Sequence, residues 1–443
     1  MDQPLAGDLF CAGHAFLPDG RLLVAGGTRR YDGFLGLPVS PFRGLNQSYL
    51  FDPGTERWSR TPNLRHGRWY PTLVALPDGR VLAVAGLTAH FPWAFLRAIE
   101  VFAPGVGWSK LRYASRWMPL YPRLHLLPDG RVFYSGSYNT HLTFPFVLWG
   151  FPTATLDPAT GRWDVIGRPR ESEREEGACV VLPLDAPEYR ARVLVIGGGT
   201  VGGKTATNGV EAIDLAAPDP RWTPVASMEY ARYYCYAVLL PDGNVLVLGG
   251  RNGKMAHEAV AGPMRDGSGE IMHDPSAVRT PELFNVRAGS WTPLAPMAVD
   301  RQYHSNALLL LDGRVMMAGS NPARGVNELR VEIFRPPYLF RGPRPSIEDA
   351  PSAVVYGAEF DVQSPEADEV DGASLVHPAA TTHCVDSGQR CVRLEIRRKS
   401  RGGLTLVAPT NPAVAPSGPY MLFLLRDGVP SEGRFVFVRW TPA

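Results

Sequence analysis

The sequence predicts an all-β protein, a β-propeller followed by an immunoglobulin-like β-sandwich. Three observations carry this. Asp-Gly pairs at 19–20, 78–79, 129–130, 242–243 and 312–313 are each followed, about seven residues on, by Gly or a small residue. After a variable loop comes a second strand that ends in a turn and a Trp, as in FDPGTERW, VFAPGVGW, LDPATGRW, IDLAAPDPRW and LFNVRAGSW. No stretch carries a 3.6-residue apolar period, so short strands and tight turns account for the chain.

Taken in order, the repeats have a period of about 50–60 residues and four short strands each, the pattern of a kelch-type propeller. Six copies can be counted. Five turn at Asp-Gly, and a sixth, between Gly177 and Gly199, has the longer turn LDAPEYR. The first strand of each blade lines the axis, so residues at one offset from the turn meet at one end of it. Eight positions before each Asp stand Cys11, Tyr70, Tyr121, Tyr234 and His304. Convergence of Cys11, Tyr70 and His304 is therefore predicted, while Tyr121 and Tyr234 read as axis packing. Tyr303 and His304 are adjacent and would point to opposite faces of a regular strand. Both reach the axis only where the strand is irregular.

Past Pro336-Pro337, PPYLFRGPRP reads as a linker, and about a hundred residues of alternating strands follow (ASLVH, RLEIRR, LTLVAP, YMLFLL, RFVFVRW). The expected division is 1–338 for the propeller and 339–443 for the sandwich. A formal net charge of +2 and the lack of a basic, aromatic-rich stretch argue against a nucleic-acid partner. No run of 18 apolar residues occurs, so no membrane span is predicted. The first residues, MDQPLAGDLFCAGH, do not read as a signal peptide. Five cysteines are too few for a disulfide scaffold. GGTVGGKT, at 198–205, fits a phosphate-loop spelling, but a strand-like VEAIDL follows where a phosphate loop needs a helix. RPRESEREE, at 168–176, reads as a solvated loop between blades. Asn46-Gln-Ser48 fits a glycosylation acceptor, a pattern too short to carry weight.

Four segments carry a resemblance to the copper-radical oxidases, the galactose oxidase and glyoxal oxidase family, closer to its glyoxal oxidase branch. LFCAGHAFLPDGRLLVAGG resembles the segment of the cross-linking Cys, and GRWYPTLVALPDGRVLAVAG that of the cross-linked Tyr. RQYHSNALLLLDGRV resembles the axial Tyr-His pair, and THCVDSGQR the segment whose His reaches the propeller from the last domain. The resemblance covers nearly the whole chain. It implies one copper ion held by Tyr70, Tyr303, His304 and His383, with Tyr70 bonded to Cys11 through a Cys-Tyr thioether as a protein-derived radical cofactor. Two imidazoles, a phenolate and an open position suit Cu(II).

It further implies catalysis by Tyr70, Cys11 and Tyr303: small aldehydes, as hydrates, go to acids or primary alcohols to aldehydes, while O2 goes to hydrogen peroxide. An extracellular or cell-surface monomer is expected, with a glycan as a further candidate partner. The Trp that shields the cross-link in galactose oxidases is replaced by Thr88, which leaves Trp93 or Trp149 for that role and argues against a galactose pocket. Cys384 and Cys391 read equally as a disulfide or as two thiols, and Cys179 and Cys235 as core. An interaction scaffold without metal and a glycan-binding relative without the cross-link are the alternatives from other classes. The family's propeller has seven blades, and only ten residues precede Cys11. A missing first blade, and a gap or badly strained closure between the blades of Cys11 and Val315, are therefore expected.

Overall fold

Each Asp-Gly turn closes the inner hairpin of one blade, and its chemistry explains why the motif recurs. In the first, Gly20 takes φ +86° and its N–H donates to Leu17 O at 2.9 Å. Asp19 then accepts from the Arg21 backbone N–H at 3.0 Å and from Arg21 Nε at 2.8 Å. The same Asp-Gly-Arg bracket forms at Asp78, Asp129 and Asp312. A computed structural model describes residues 5–31, 42–88, 95–139, 151–170, 174–199, 205–252, 271–321 and 326–440.

Six antiparallel sheets follow one another along the chain. Their innermost strands are Asp8–Phe16, Thr72–Ala75, Leu120–Leu126, Ala178–Val181, Tyr236–Leu239 and Asn306–Leu309. The last sheet has three strands among the described residues. Its outer strand, Val331–Phe334, shows Val331 and Ile333 to solvent. No hydrogen-bonded ladder joins this sheet to that of Cys11 among the described residues, although Phe10 lies 4.9 Å from the His304 ring.

Arg–Glu pairs, three of them fully buried, clamp four of the blades. Arg68, Arg174, Arg232 and Arg301 precede inner strands and pair with Glu100, Glu211, Glu282 and Glu332 on the third strands. Each Glu also accepts a backbone N–H from the preceding inter-blade segment, as Arg65 N to Glu100 Oε2 at 2.7 Å. Removing one partner of such a pair strands a buried charge and costs about 3–5 kcal/mol. These clamps fix the height at which each inner strand begins, and so the position of the residue at its foot.

The charge run at 168–176 is not a solvated loop at its C-terminal end. Arg174, Glu175 and Glu176 are buried, because Arg174 is one of the clamps and Glu176 stands at the axis. The strand Val210–Asp214, not a helix, follows the phosphate-loop spelling. The long turn of this blade has its own use. Leu184–Asp185 pairs in parallel with Val392 and Arg393 of the sandwich.

In the sandwich, Cys391–Ser400 pairs with Gly372–Val376 at one end and Gly403–Val407 at the other, bending through an irregularity between Ile396 and Arg398. One strand thus serves both layers. Its core is continuous with the propeller's, since Val376, Cys391, Met421 and Phe423 pack with Cys235, Leu239 and Val247. At the fifth blade Asn244 replaces the usual turn Arg. Arg393 of the sandwich reaches the vacated side and donates to Asp242 O at 2.5 Å.

Candidate metal centre

The six residues at the feet of the inner strands share one unusual backbone conformation. Cys11, Tyr70, Tyr121, Glu176, Tyr234 and His304 have φ of 67°, 62°, 44°, 57°, 60° and 62°. A left-handed residue other than Gly costs about 1–3 kcal/mol, so six in register mark a constraint of the architecture. The conformation turns each amide toward its neighbour. Tyr70 N donates to Cys11 O at 3.1 Å, Tyr121 N to Tyr70 O at 3.0 Å, and Tyr234 N to Glu176 O at 2.7 Å.

The last blade departs by one residue. Elsewhere the clamp Arg stands two positions before the foot (Arg68 and Tyr70, Arg174 and Glu176, Arg232 and Tyr234), but Arg301 stands three before His304. The extra residue is Tyr303. It is taken up in a turn closed by Ser305 N to Gln302 O at 3.2 Å. This is the irregularity that lets neighbouring Tyr303 and His304 serve one site, their ring centroids 3.7 Å apart.

His383 arrives from the sandwich on a two-residue hairpin turn. Thr382 and Val385 exchange backbone bonds at 3.0 and 2.8 Å, and His383 and Cys384 take φ of 49° and 61°. The rest of the segment is anchored in the propeller. Gln389 accepts from Leu239 N at 2.5 Å and donates to Ala237 O at 2.9 Å, while Arg390 donates to Leu126 O at 2.6 Å.

These elements bring the predicted residues together. The Tyr70 and Tyr303 hydroxyls are 2.6 Å apart. The His304 and His383 rings are 4.6 Å apart at 89°, and Tyr70 lies 4.7 Å from His383. The Cys11 sulfur and one nitrogen of each of His304 and His383 lie within 4.8 Å of one another. Cys11, Tyr70 and His383 are buried, and Tyr303 and His304 half-buried. Two imidazoles, two phenols and a thiol gathered this closely are a donor set that fits a single copper ion.

Burial sets the electrostatics. It pushes the Cys11 thiol and the Tyr70 phenol up and the His383 imidazole down. Cys11, Tyr70 and His383 are therefore held uncharged, and a cation there would favour the phenolate and release its proton.

Three other histidines, His125 buried and His14 and His377 half-buried, respond to pH in the same direction. Burial lowers His125, which contacts Ser135 Oγ at 3.0 Å and Cys179 Sγ at 3.2 Å, to about 3. It lowers His14 and His377 to about 4. With folded values below the unfolded ~6.5, the unfolded chain takes these protons first, so stability is full above that pH and declines below it. Asp386, raised to about 6 by burial, acts oppositely, gaining stability as pH falls toward its unfolded value, but it is one group against three. Between pH 7 and 5 these three histidines, offset by Asp386, should by themselves cost the metal-free protein roughly 4 kcal/mol, or about 4 °C of melting temperature. An unchanged calorimetric midpoint would mean that these histidines charge within the fold.

Three neighbours of the cluster escape a reading of the sequence alone. Trp69 stacks on Tyr70 with ring centroids 3.7 Å apart and 17° between planes. Trp93 and Trp149 lie outside the described residues, and Thr88 contributes a backbone carbonyl to Gly44 N. Glu176 is the foot of the fourth blade, hydrogen-bonded through its side chain to Tyr234, whose ring is 5.1 Å from Tyr303. Tyr121 is not axis packing alone, since its hydroxyl donates to Ala12 O at 3.0 Å. All five cysteines are free thiols, which removes the Cys384–Cys391 disulfide. Cys384 is hydrogen-bonded with Tyr236, and Cys391 packs in the core shared by the two units. Cys179 and Cys235 are buried as expected.

Comparison with known proteins identifies the family of both units. Residues 3–338 match the family model described as glyoxal oxidase N-terminus, and residues 344–438 the galactose oxidase-like early set domain. The chain is 31% identical to the aldehyde oxidase GLOX of Vitis pseudoreticulata, over 97% of this chain and 82% of that protein. It is 24% identical to galactose oxidase of Gibberella zeae, over 96% of this chain and 60% of that protein. A fungal alcohol oxidase of the AA5 family, solved in complex with copper, shares the fold with a TM-score of 0.78 at 24% identity. That alignment covers 98% of this chain and 86% of the other. Propeller, sandwich and site define an oxidase of the copper-radical class. The chain belongs to the glyoxal oxidase family.

Proposed function

We propose that Tyr70, Tyr303, His304 and His383 hold one copper ion, and that the chain oxidises small hydrated aldehydes to carboxylic acids, reducing O2 to hydrogen peroxide. Primary alcohols are the second substrate class. The carrying observation is the approach of the Tyr70 and Tyr303 hydroxyls to 2.6 Å beneath two crossed imidazoles, a geometry that brings both phenols to one point. Copper supplies one of the two oxidising equivalents the reaction needs.

The other resides on Tyr70. Its ring is bonded to Cys11 in this reading: the thiol and one ring C–H each give up a hydrogen, and O2 takes both as peroxide. The thioether donates electron density and lowers the cost of holding a radical there. Trp69, stacked on that ring, excludes water from it. Tyr303, partly exposed, takes the substrate hydroxyl proton as general base, and Tyr70 takes the hydrogen atom from carbon. The hydrate loses two electrons and two protons, which O2 carries away as hydrogen peroxide.

The propeller, residues 1–338, supplies all of these groups except His383, which comes from the sandwich, residues 339–443. No helix of the described residues is long and apolar enough to cross a membrane, and the family resemblance favours work outside the cell or at its surface. Neither an interaction scaffold nor a glycan-binding relative accounts for the converging donor set.

Copper-loaded protein should release peroxide faster on glyoxal and glycolaldehyde than on simple primary alcohols, with little or no turnover of galactose. A peroxidase-coupled assay reads this directly. Faster turnover of galactose would reverse the substrate ordering, and no oxygen uptake on any of these would sink the reading.

A further inference from the structure

Beside the cluster runs a short line of hydrogen bonds whose direction can be derived. It starts at the Ala12 carbonyl, next to Cys11, which accepts from the Tyr121 hydroxyl at 3.0 Å. Tyr121 is also hydrogen-bonded to the Thr382 hydroxyl. Thr382 Oγ1 lies 2.7 Å from His383 Nδ1. Tyr121 is fully buried, its ring 4.9 Å from that of His383.

A carbonyl only accepts, and a hydroxyl has one proton to give. Tyr121 gives its proton to Ala12, so its oxygen accepts from Thr382. Thr382 has then used its own proton, and its oxygen can only accept from His383. The reverse orientation would set the lone pairs of Thr382 and Tyr121 against each other in a buried site, at a cost of about 1–3 kcal/mol. We infer that Tyr121 and Thr382 are positioning residues that hold His383 as the Nδ1–H tautomer, which makes Nε2 the unprotonated nitrogen that a metal would take. The inference rests on the copper reading of the site for its use, but the tautomer itself does not depend on metal.

The line also spans the structure in a useful way. His383 and Thr382 belong to the sandwich, Tyr121 to the third blade and Ala12 to the first. The imidazole is therefore keyed to the same strand that carries Cys11. Outer partners of this kind typically account for 10–100-fold in metal affinity.

The test uses the full chain labelled with 15N-histidine, with His383 assigned by its absence in His383→Gln. In the metal-free wild type, His383 should appear protonated at Nδ1. Thr382→Ser should preserve this, while Thr382→Val and Tyr121→Phe should give a mixed or Nε2–H tautomer. Copper(II) affinity, measured by competition with a chelator, should fall roughly 10-fold or more in the last two and stay near wild type in Thr382→Ser. A pure Nδ1–H tautomer and unchanged affinity in Thr382→Val, or an Nε2–H wild type, would overturn the inference. Wild-type protein that binds no copper, yet shows the expected tautomers, would instead count against the proposed function alone. Should Tyr121→Phe misfold, the isosteric Thr382 pair decides the matter.

Discussion

Replacing His383 by alanine is expected to weaken copper binding by at least ~100-fold, beyond the range typical of losing an outer partner, while both units stay folded. The imidazole sits at the tip of a hairpin turn whose anchorage lies elsewhere, in Gln389 and Arg390. Cutting the side chain at Cβ leaves those bonds, the Thr382–Val385 turn and the shared core in place. Two terms work against loss of stability. Burial holds His383 well below its ordinary value, so the folded state already carries the penalty of a desolvated imidazole. The left-handed backbone at His383 strains alanine about as much as histidine. Equilibrium dialysis would check the binding and calorimetry the fold. Wild-type affinity in the variant would remove His383 from the site.

Much of this arrangement is legible in the sequence, and the exceptions have physical causes. The Asp-Gly-Arg bracket is local, so its spelling survives wherever the turn does, and counting eight residues back finds five of the six feet. The sixth, Glu176, is missed because its blade extends the turn to pair with the sandwich, and the Asp-Gly marker is lost there. The same residue sits in a charge run that composition alone assigns to solvent. Its burial follows from the Arg174–Glu211 pair 37 positions apart in sequence, which no local pattern reveals. An Arg two residues before three of the feet, Tyr70, Glu176 and Tyr234, was available as a signal, and its three-residue spacing from His304 would have flagged Tyr303 as an insertion. Trp69 escapes for another reason. Residues next to each other on a regular strand diverge, and only the left-handed backbone at Tyr70 folds the two rings together.

Glu176 shows how far the register argument extends. The ring of feet holds three tyrosines, a thiol, an imidazole and one carboxylate, each in the same backbone state. A carboxylate with no relative exposure needs strong reasons to stay. Here it is tied to Tyr234, which in turn lies against Tyr303. The side of the axis away from Cys11 is thus also built to hold a tyrosine in place.

Tyr70→Phe should abolish turnover, with kcat lower by at least ~1,000-fold, about 4 kcal/mol of barrier, and copper affinity reduced as well. Phenylalanine keeps the stack on Trp69 and the packing against Tyr121, so the fold should not suffer. Its local cost is the hydrogen bond between the Tyr70 and Tyr303 hydroxyls. What is lost is the oxygen that would bind the metal and the ring that would hold the second oxidising equivalent. Cys11→Ser separates these two roles, because it leaves Tyr70 and its oxygen untouched. Copper loading in air should remove two hydrogens, about 2 Da, from wild-type protein as the thioether closes, a shift that intact-mass spectrometry resolves. Neither Tyr70→Phe nor Cys11→Ser should show it. Cys11→Ser should keep copper binding within several-fold of wild type and lose most turnover, since an unsubstituted phenol is harder to oxidise. Full activity in Cys11→Ser, or the same mass loss in it, would place the redox partner of copper somewhere other than the Cys11–Tyr70 pair.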